Sequence, residues 1–83
     1  MAVVLHPHAL ERLVERGATD VEVTETVEKG EQFPAKFGRM GFRRNFPCDG
    51  TWQGRNYSTK QVEAYAVKEG EDWVVITVIT KFF

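Results

Sequence analysis

The stretch most suited to chemistry is HPHALERLVERG, residues 6–17. His8, Arg12 and Arg16 recur at intervals of four residues, so on a helix they form one row. An imidazole can transfer protons near neutral pH, and a guanidinium can bind a phosphate through two parallel hydrogen bonds. The row therefore suits the binding or cleavage of a phosphodiester. The spacing equally fits a solvated face on which Glu15 balances the arginines, and the residues alone leave both interpretations open.

A helical wheel predicts which way this row points. Leu10, Leu13 and Val14 recur at helical spacing and are expected to form the buried stripe of the helix. On that wheel His8 lies roughly opposite the stripe and faces solvent. His6 is interpreted as a cap or a packed residue rather than a catalyst.

A second cationic region follows, although the net charge of the chain is only −1. Residues 36–60 hold six basic side chains and one acidic side chain, interleaved with phenylalanines. Basic and aromatic residues together are typical of surfaces that bind single-stranded RNA. The predicted nucleic-acid contacts are Lys36, Arg39, Arg43, Arg44 and Arg55. The alternative is a plain strand alternation with phenylalanines inward and arginines outward.

Other reactive residues give weaker signals. Thr77 and Thr80 are expected on opposite faces of the last strand, where a threonine either favours β structure or hydrogen-bonds a phosphoryl oxygen. His6, His8 and the single cysteine, Cys48, have no recognised zinc-ligand spacing, so no metal site is predicted. The sequence contains no Walker loop, dinucleotide fingerprint or GxSxG motif, and no cofactor is expected.

The elements that must position these residues follow from periodicity, caps and turn formers. Two helices are predicted, one from Pro7 to Gly17 and one from the capping box at Thr19 to Gly30, joined as a helical hairpin. Residues 2–5 are either a short strand or an extended lead-in. Further strands are expected at 32–37, 42–46, 61–68 and 73–82, with turns at 38–41 and 69–72 and a long loop at 45–58. We expect residues 1–83 to form one α+β domain, with the hairpin on a roughly four-stranded antiparallel sheet.

The pattern His8-x-x-x-Arg12-x-x-x-Arg16-Gly17, the Val-Glu-x-x-x-x-Val-x-x-Gly run ending at Gly30 and the late Val-Ile-Thr-Val-Ile at 75–79 resemble a prokaryotic family, domain of unknown function 4258. That family is distantly similar to the metal-independent ribonucleases of the barnase, colicin and RelE type, which are often toxins. The resemblance implies a barnase-like or RelE-like fold. It also implies His8, Arg12, Arg16 and Thr77 as catalytic residues, with RNA as substrate and a cognate antitoxin as partner.

A different class of function stays open, a non-catalytic domain that forms a homodimer or binds another protein. The apolar carboxyl terminus, ending in Phe82 and Phe83, favours that hypothesis if it is exposed. No apolar run approaches the ~20 residues of a membrane span, and no signal peptide is evident. The expected location is therefore cytoplasmic, without a membrane partner.

Overall fold

The computed structural model describes residues 2–52 and 54–83, which form two helices and five strands. In chain order the elements are β1 Val3–Leu5, α1 Pro7–Arg16, α2 Asp20–Lys29, β2 Glu31–Pro34, β3 Met40–Trp52, β4 Arg55–Glu69 and β5 Asp72–Phe82. The α+β class is as expected, with α1 and β1 against β5 and α2 against β3 and β4. We call the side of the sheet that carries the helices the covered face and the other side the open face.

The predicted four-stranded antiparallel sheet of barnase type is wrong in strand number and direction. The strands lie in the order β1-β5-β4-β3-β2, and β1 pairs parallel to β5 while all the other pairs are antiparallel. Most of the stretch 2–5, namely Val3–Leu5, is thus an edge strand rather than a lead-in. Three residues of strand carry almost no sequence signal of their own, and β1 exists because β5 offers a free edge to pair with.

Both helices begin and end as their caps predict. His6 is the N-cap of α1, where its Nδ1 accepts from the backbone N–H of His8 at 3.1 Å, and Gly17 ends α1 with φ 70°. Thr19 and Glu22 form the reciprocal capping box of α2. The sequence therefore sets the length of each helix locally.

The predicted buried stripe of α1 is wrong in its rotation. Ala9 and Leu13 are the buried residues, whereas Leu10 is 53% and Val14 85% exposed. Burial follows how closely the helix approaches the sheet, and a small alanine permits the closest approach. This rotation brings the flank that carries His8 and Arg12 from open solvent to the side of the sheet.

A bulge in β5 breaks its alternation. Tyr65 pairs with Thr77 but its neighbour Ala66 pairs with Val75, so Ile76 is the extra residue. Val75 before the bulge and Val78 after it are both buried against the helices. The alternation of apolar residues along β5 predicts that its even-numbered residues face the core, and this prediction is wrong before Ile76 but correct after it.

Two connections also differ from prediction. The turn between β2 and β3 centres on Phe37 and Gly38, both at positive φ, rather than on residues 38–41. The expected loop at 45–58 is largely a two-stranded ribbon of β3 and β4, paired from Pro47–Thr59 out to Trp52–Arg55 with an irregularity between Pro47 and Gly50. Residues that favour turns are thus paired as strands in this part of the chain.

The core lies between the helices and the covered face. Its fully buried side chains include Val23 of α2, Val62 of β4 and Val75 of β5. Within the described part of the chain, no helix is long and apolar enough to cross a membrane.

Candidate functional site

A concavity of about 160 Å³ separates α1 from β5, and we call it the helix-edge cleft. Its helical wall consists of His8, Ala9, Arg12 and Arg16, and its strand wall of residues 76–78. The row predicted from spacing therefore lines a concave surface together with Thr77. The helical wheel had predicted instead that His8 points away from the sheet.

Two hydrogen bonds hold α1 along the strand. The backbone N–H of His6 donates to the carbonyl of Val75 at 2.9 Å, which fixes the start of the helix. At its other end, the Thr80 hydroxyl donates to the carbonyl of Arg16. Thr80, which was expected on the opposite face of the strand from Thr77, thus positions the helix, and Thr77 lies on the cleft wall.

The strand wall of the cleft is a free sheet edge. Strand β1 pairs only with residues 73–75 of β5, so from Ile76 onward no described strand lies on that side. In an antiparallel strand every second residue directs its N–H and C=O towards the same edge. The cleft therefore offers backbone donors on one wall opposite cationic side chains on the other.

The polar side chains of the cleft form no bonds with the rest of the described chain. Among residues 2–52 and 54–83, no hydrogen bond or ion pair is formed by the side chain of His8, Arg12 or Arg16, although the backbones of His8 and Arg16 accept or donate one. The Nε atom of Arg16 is buried without a hydrogen-bond partner. Together with the absence of a carboxylate partner in the described part of the chain, this leaves the Arg16 guanidinium without an internal counter-charge. Glu15, the expected counter-charge, forms no such pair in the described structure.

The predicted nucleic-acid contacts do not form one surface. Arg43 lies on the open face, where its guanidinium is 2.7 Å from Glu31 Oε1, and this hydrogen bond raises its pKa. Arg44 pairs with Val62 on the covered face and lies over the Phe46 ring, while Arg55 is at the far end of the ribbon. Arg43 and Arg44 therefore lie on opposite faces of the sheet, whereas the simple alternation places the arginines together on the outward side.

Lys36 and Arg39 do come together, in a second concavity of about 450 Å³ that we call the open-face pocket. It is lined by Phe33, Lys36, Phe37, Arg39, Tyr65 and Thr77, among others. Thr77 therefore belongs to both concavities. The sequence signal for this pocket was the proximity of aromatic and basic residues. The alternation of phenylalanines along the strands did not predict it.

Sequence reasoning missed a polar cluster on the open face centred on Glu63. Its carboxylate is 6% exposed and accepts from the Tyr65 hydroxyl at 2.9 Å and from Lys81 Nζ at 3.1 Å. Burial acts to raise the pKa of Glu63, but the hydrogen bonds and the charges of Lys81 and Arg43 outweigh it, so the pKa is lowered. Burial and the bond to Glu63 raise the pKa of Tyr65. The sequence signal that could have indicated this cluster is a glutamate between the apolar residues Val62 and Ala64.

Among the described residues, no cluster of three or more histidine, cysteine, aspartate or glutamate side chains is placed to hold a metal ion. Cys48 is a free thiol in β3, and it lines neither concavity. The chemistry available in the helix-edge cleft is accordingly that of an imidazole, two guanidinium groups and backbone donors.

No family model, curated protein or solved structure matches this chain. The functional interpretation therefore depends on the geometry of the cleft.

Proposed function

We propose that the helix-edge cleft binds the phosphodiester backbone of RNA and that the domain is a metal-independent ribonuclease of the toxin type. One observation carries the proposal: His8, Arg12 and Arg16 line a single concavity, and none of these side chains has an ion-pair partner within the described chain. Guanidinium groups without carboxylate partners are free to bind a phosphate.

The proposed reaction needs only groups that the cleft supplies and water. The neutral imidazole of His8 accepts the proton of the ribose 2′-hydroxyl, whose oxygen forms a bond to the adjacent phosphorus. The bond from phosphorus to the 5′-oxygen breaks, and that oxygen takes a proton from water. Arg12 and Arg16 stabilise the additional negative charge of the transition state. Thr77 positions the phosphate at the strand wall.

The first test incubates total RNA with the protein in the presence of a chelator. We expect cleavage by the natural protein and at least a hundredfold loss in His8→Ala/Arg16→Gln, since general acid–base catalysis alone contributes about 10²–10⁴-fold. The matched control is Lys29→Gln/Lys68→Gln, which removes two positive charges from exposed positions outside the cleft. Equal rates for the two double variants would exclude the cleft as the catalytic site.

The second test measures binding separately from cleavage. We expect affinity for single-stranded RNA to fall with salt, and Arg12→Gln/Arg16→Gln to reduce the slope of log K against log salt by about 1.4, or 0.7 for each phosphate contact. Binding with this slope but without cleavage would reduce the proposal to an RNA-binding domain. If the protein neither binds nor cleaves RNA, the proposed function is overturned.

A second candidate function, homodimerisation, has one observation in its favour. Leu10 and Val14 lie one turn apart on the outer side of α1 and are largely exposed, and Val21 of α2 is 63% exposed. Light scattering on the natural protein and on Leu10→Lys/Val14→Lys tests it. A dimer mass that the double variant halves would favour the interaction domain, and a monomer mass in both would exclude it.

A further inference from the structure

The turn between β2 and β3 holds an aromatic ring at a backbone position that disfavours it. Phe37 has φ 61° and its side chain is 88% exposed. A bulky side chain at positive φ is uncommon and costs free energy, so such positions usually carry glycine or asparagine. Burial does not offset that cost here, because the ring faces solvent. Strain of this kind is concentrated at sites that contact ligands.

The ring stands at the margin of the open-face pocket, where two further aromatic side chains form the floor. Phe33 and Tyr65 meet edge to face with ring centroids 6.0 Å apart. The Phe33 ring lies directly over Gly41, so close that a Cβ atom at position 41 would come within 2.3 Å of it. The pocket therefore presents aromatic surface on its floor and on its margin, at a volume of about 450 Å³ that falls within the usual range for small-molecule sites.

The same pocket is cationic. Lys36 and Arg39 flank Phe37 in the chain, line the pocket, and form none of the ion pairs found in the described structure. An aromatic surface beside free cations is complementary to a flat ring that carries a negative charge nearby. A nucleotide in a single strand has these two parts, a base that stacks and a phosphate that pairs.

Thr77 lines both concavities, at the free edge of β5. We propose that the open-face pocket is a base-binding subsite, in which Phe37 stacks on one base of a single-stranded RNA whose backbone continues into the helix-edge cleft. The inference rests on the proposed function and narrows its substrate to unpaired RNA, because a base within a duplex cannot leave its stack to enter the pocket without unpairing.

The test compares two fluorescent probes of about eight nucleotides, a 2′-O-methyl RNA that cannot be cleaved and an abasic strand with the same phosphates. The variant is Phe37→Asn, since asparagine removes the ring but tolerates positive φ. Its matched control is Phe83→Asn, which removes another exposed phenylalanine that lines neither concavity. Thermal unfolding of each variant verifies that it is folded.

We expect Phe37→Asn to weaken binding of the base-containing probe about tenfold, the usual effect of losing one stacking aromatic, and to leave the abasic probe unchanged. Phe83→Asn should alter neither. Equal affinity of the natural protein for both probes, unaffected by Phe37→Asn, would overturn the subsite while the phosphate cleft stands. Binding of neither probe would overturn the proposed function and the subsite with it.

Discussion

Lys60 and Arg16 are both largely enclosed cations beside the end of α1, but their surroundings are opposite. Lys60 Nζ donates to the Gly17 carbonyl at 2.9 Å and pairs with Glu22 Oε1 at 2.7 Å. The Nε of Arg16 is buried with no acceptor. A buried charge is tolerated when protein groups replace the water it has lost. The charge of Lys60 is thus satisfied within the fold, whereas no described carboxylate pairs with Arg16.

The same contrast separates the Glu63 cluster from the helix-edge cleft. Glu63 has two hydrogen-bond donors, Tyr65 and Lys81, and a second nearby cation, Arg43, so its charge is satisfied by strands β3, β4 and β5 themselves. The side chains of His8 and Arg12 form no bond with another side chain among the described residues. We therefore expect substitutions in the Glu63 cluster to change stability more and substitutions in the cleft to change RNA binding more. Substituting residues of the cleft and residues of the internally paired groups tests this difference directly.

The largest expected effect is on Lys60. Lys60→Met removes one partner of an ion pair whose side chains are only 14% and 21% exposed, and should cost about 3 kcal/mol of unfolding free energy. Arg16→Met should change stability by less than about 1 kcal/mol, because it breaks no side-chain bond. Urea unfolding measures both. Equal losses in the two variants would remove the distinction between them.

RNA affinity should show the reverse order for the same two variants. Arg16→Met is expected to weaken binding about tenfold, the value of a hydrogen bond to a charged group. Lys60→Met should bind as the natural protein does at temperatures where it is folded. A loss of affinity confined to Lys60→Met would contradict the placement of the site.

Gly41→Ala tests the floor of the open-face pocket. A Cβ at this position would lie 2.3 Å from Phe33 Cε2, so the ring must move, at a cost of about 2 kcal/mol. Thermal unfolding measures the loss. Gly50→Ala is the control, since a Cβ there has no neighbour within 4 Å and its residue is exposed. Equal stability of the two variants would show that Phe33 is not packed on Gly41.

The acid limb of stability tests the Glu63 cluster. The pKa of Glu63 is lowered in the folded protein, so its stabilising contribution is complete above the ordinary value of about 4.3 and is lost as the pH falls through the lower folded pKa. Glu63→Gln should cost about 1.5 kcal/mol at pH 7 and flatten this limb. Glu31→Gln breaks an exposed pair and should cost less than about 1 kcal/mol. An unchanged acid limb in Glu63→Gln would contradict the charge assignment.

The parts of the fold that could be predicted are those with local causes. Pro7, Gly17 and the Thr19–Glu22 capping box delimit the helices through contacts within a few residues. The β-branched run of β5 likewise predicts a strand without reference to the rest of the chain. These signals state where an element begins and ends, and they do not state what it packs against.

The cleft could not be predicted, because its geometry depends on non-local packing. Leucine outranks alanine on a hydropathy scale, yet Ala9 is buried and Leu10 is exposed, since Ala9 and Leu13 lie on the side of α1 that packs against the sheet. The bulge at Ile76 changes which residues of β5 face the helices. The identity of the row was therefore readable from spacing, but its direction was set by the sheet.

The smallest expected effect is a gain, and it separates folding from binding at a single residue. Phe37→Asn relieves a bulky side chain at φ 61° and loses little buried area, so we expect about 0.5 kcal/mol of added stability. Phe37→Gly should behave similarly, which would assign the gain to the backbone rather than to the new amide. Urea unfolding resolves the difference when the variants are measured together. A loss of stability in both would mean that the ring packs on the fold. A gain in stability joined to weaker RNA binding would instead show that a phenylalanine at this turn opposes folding and serves the ligand.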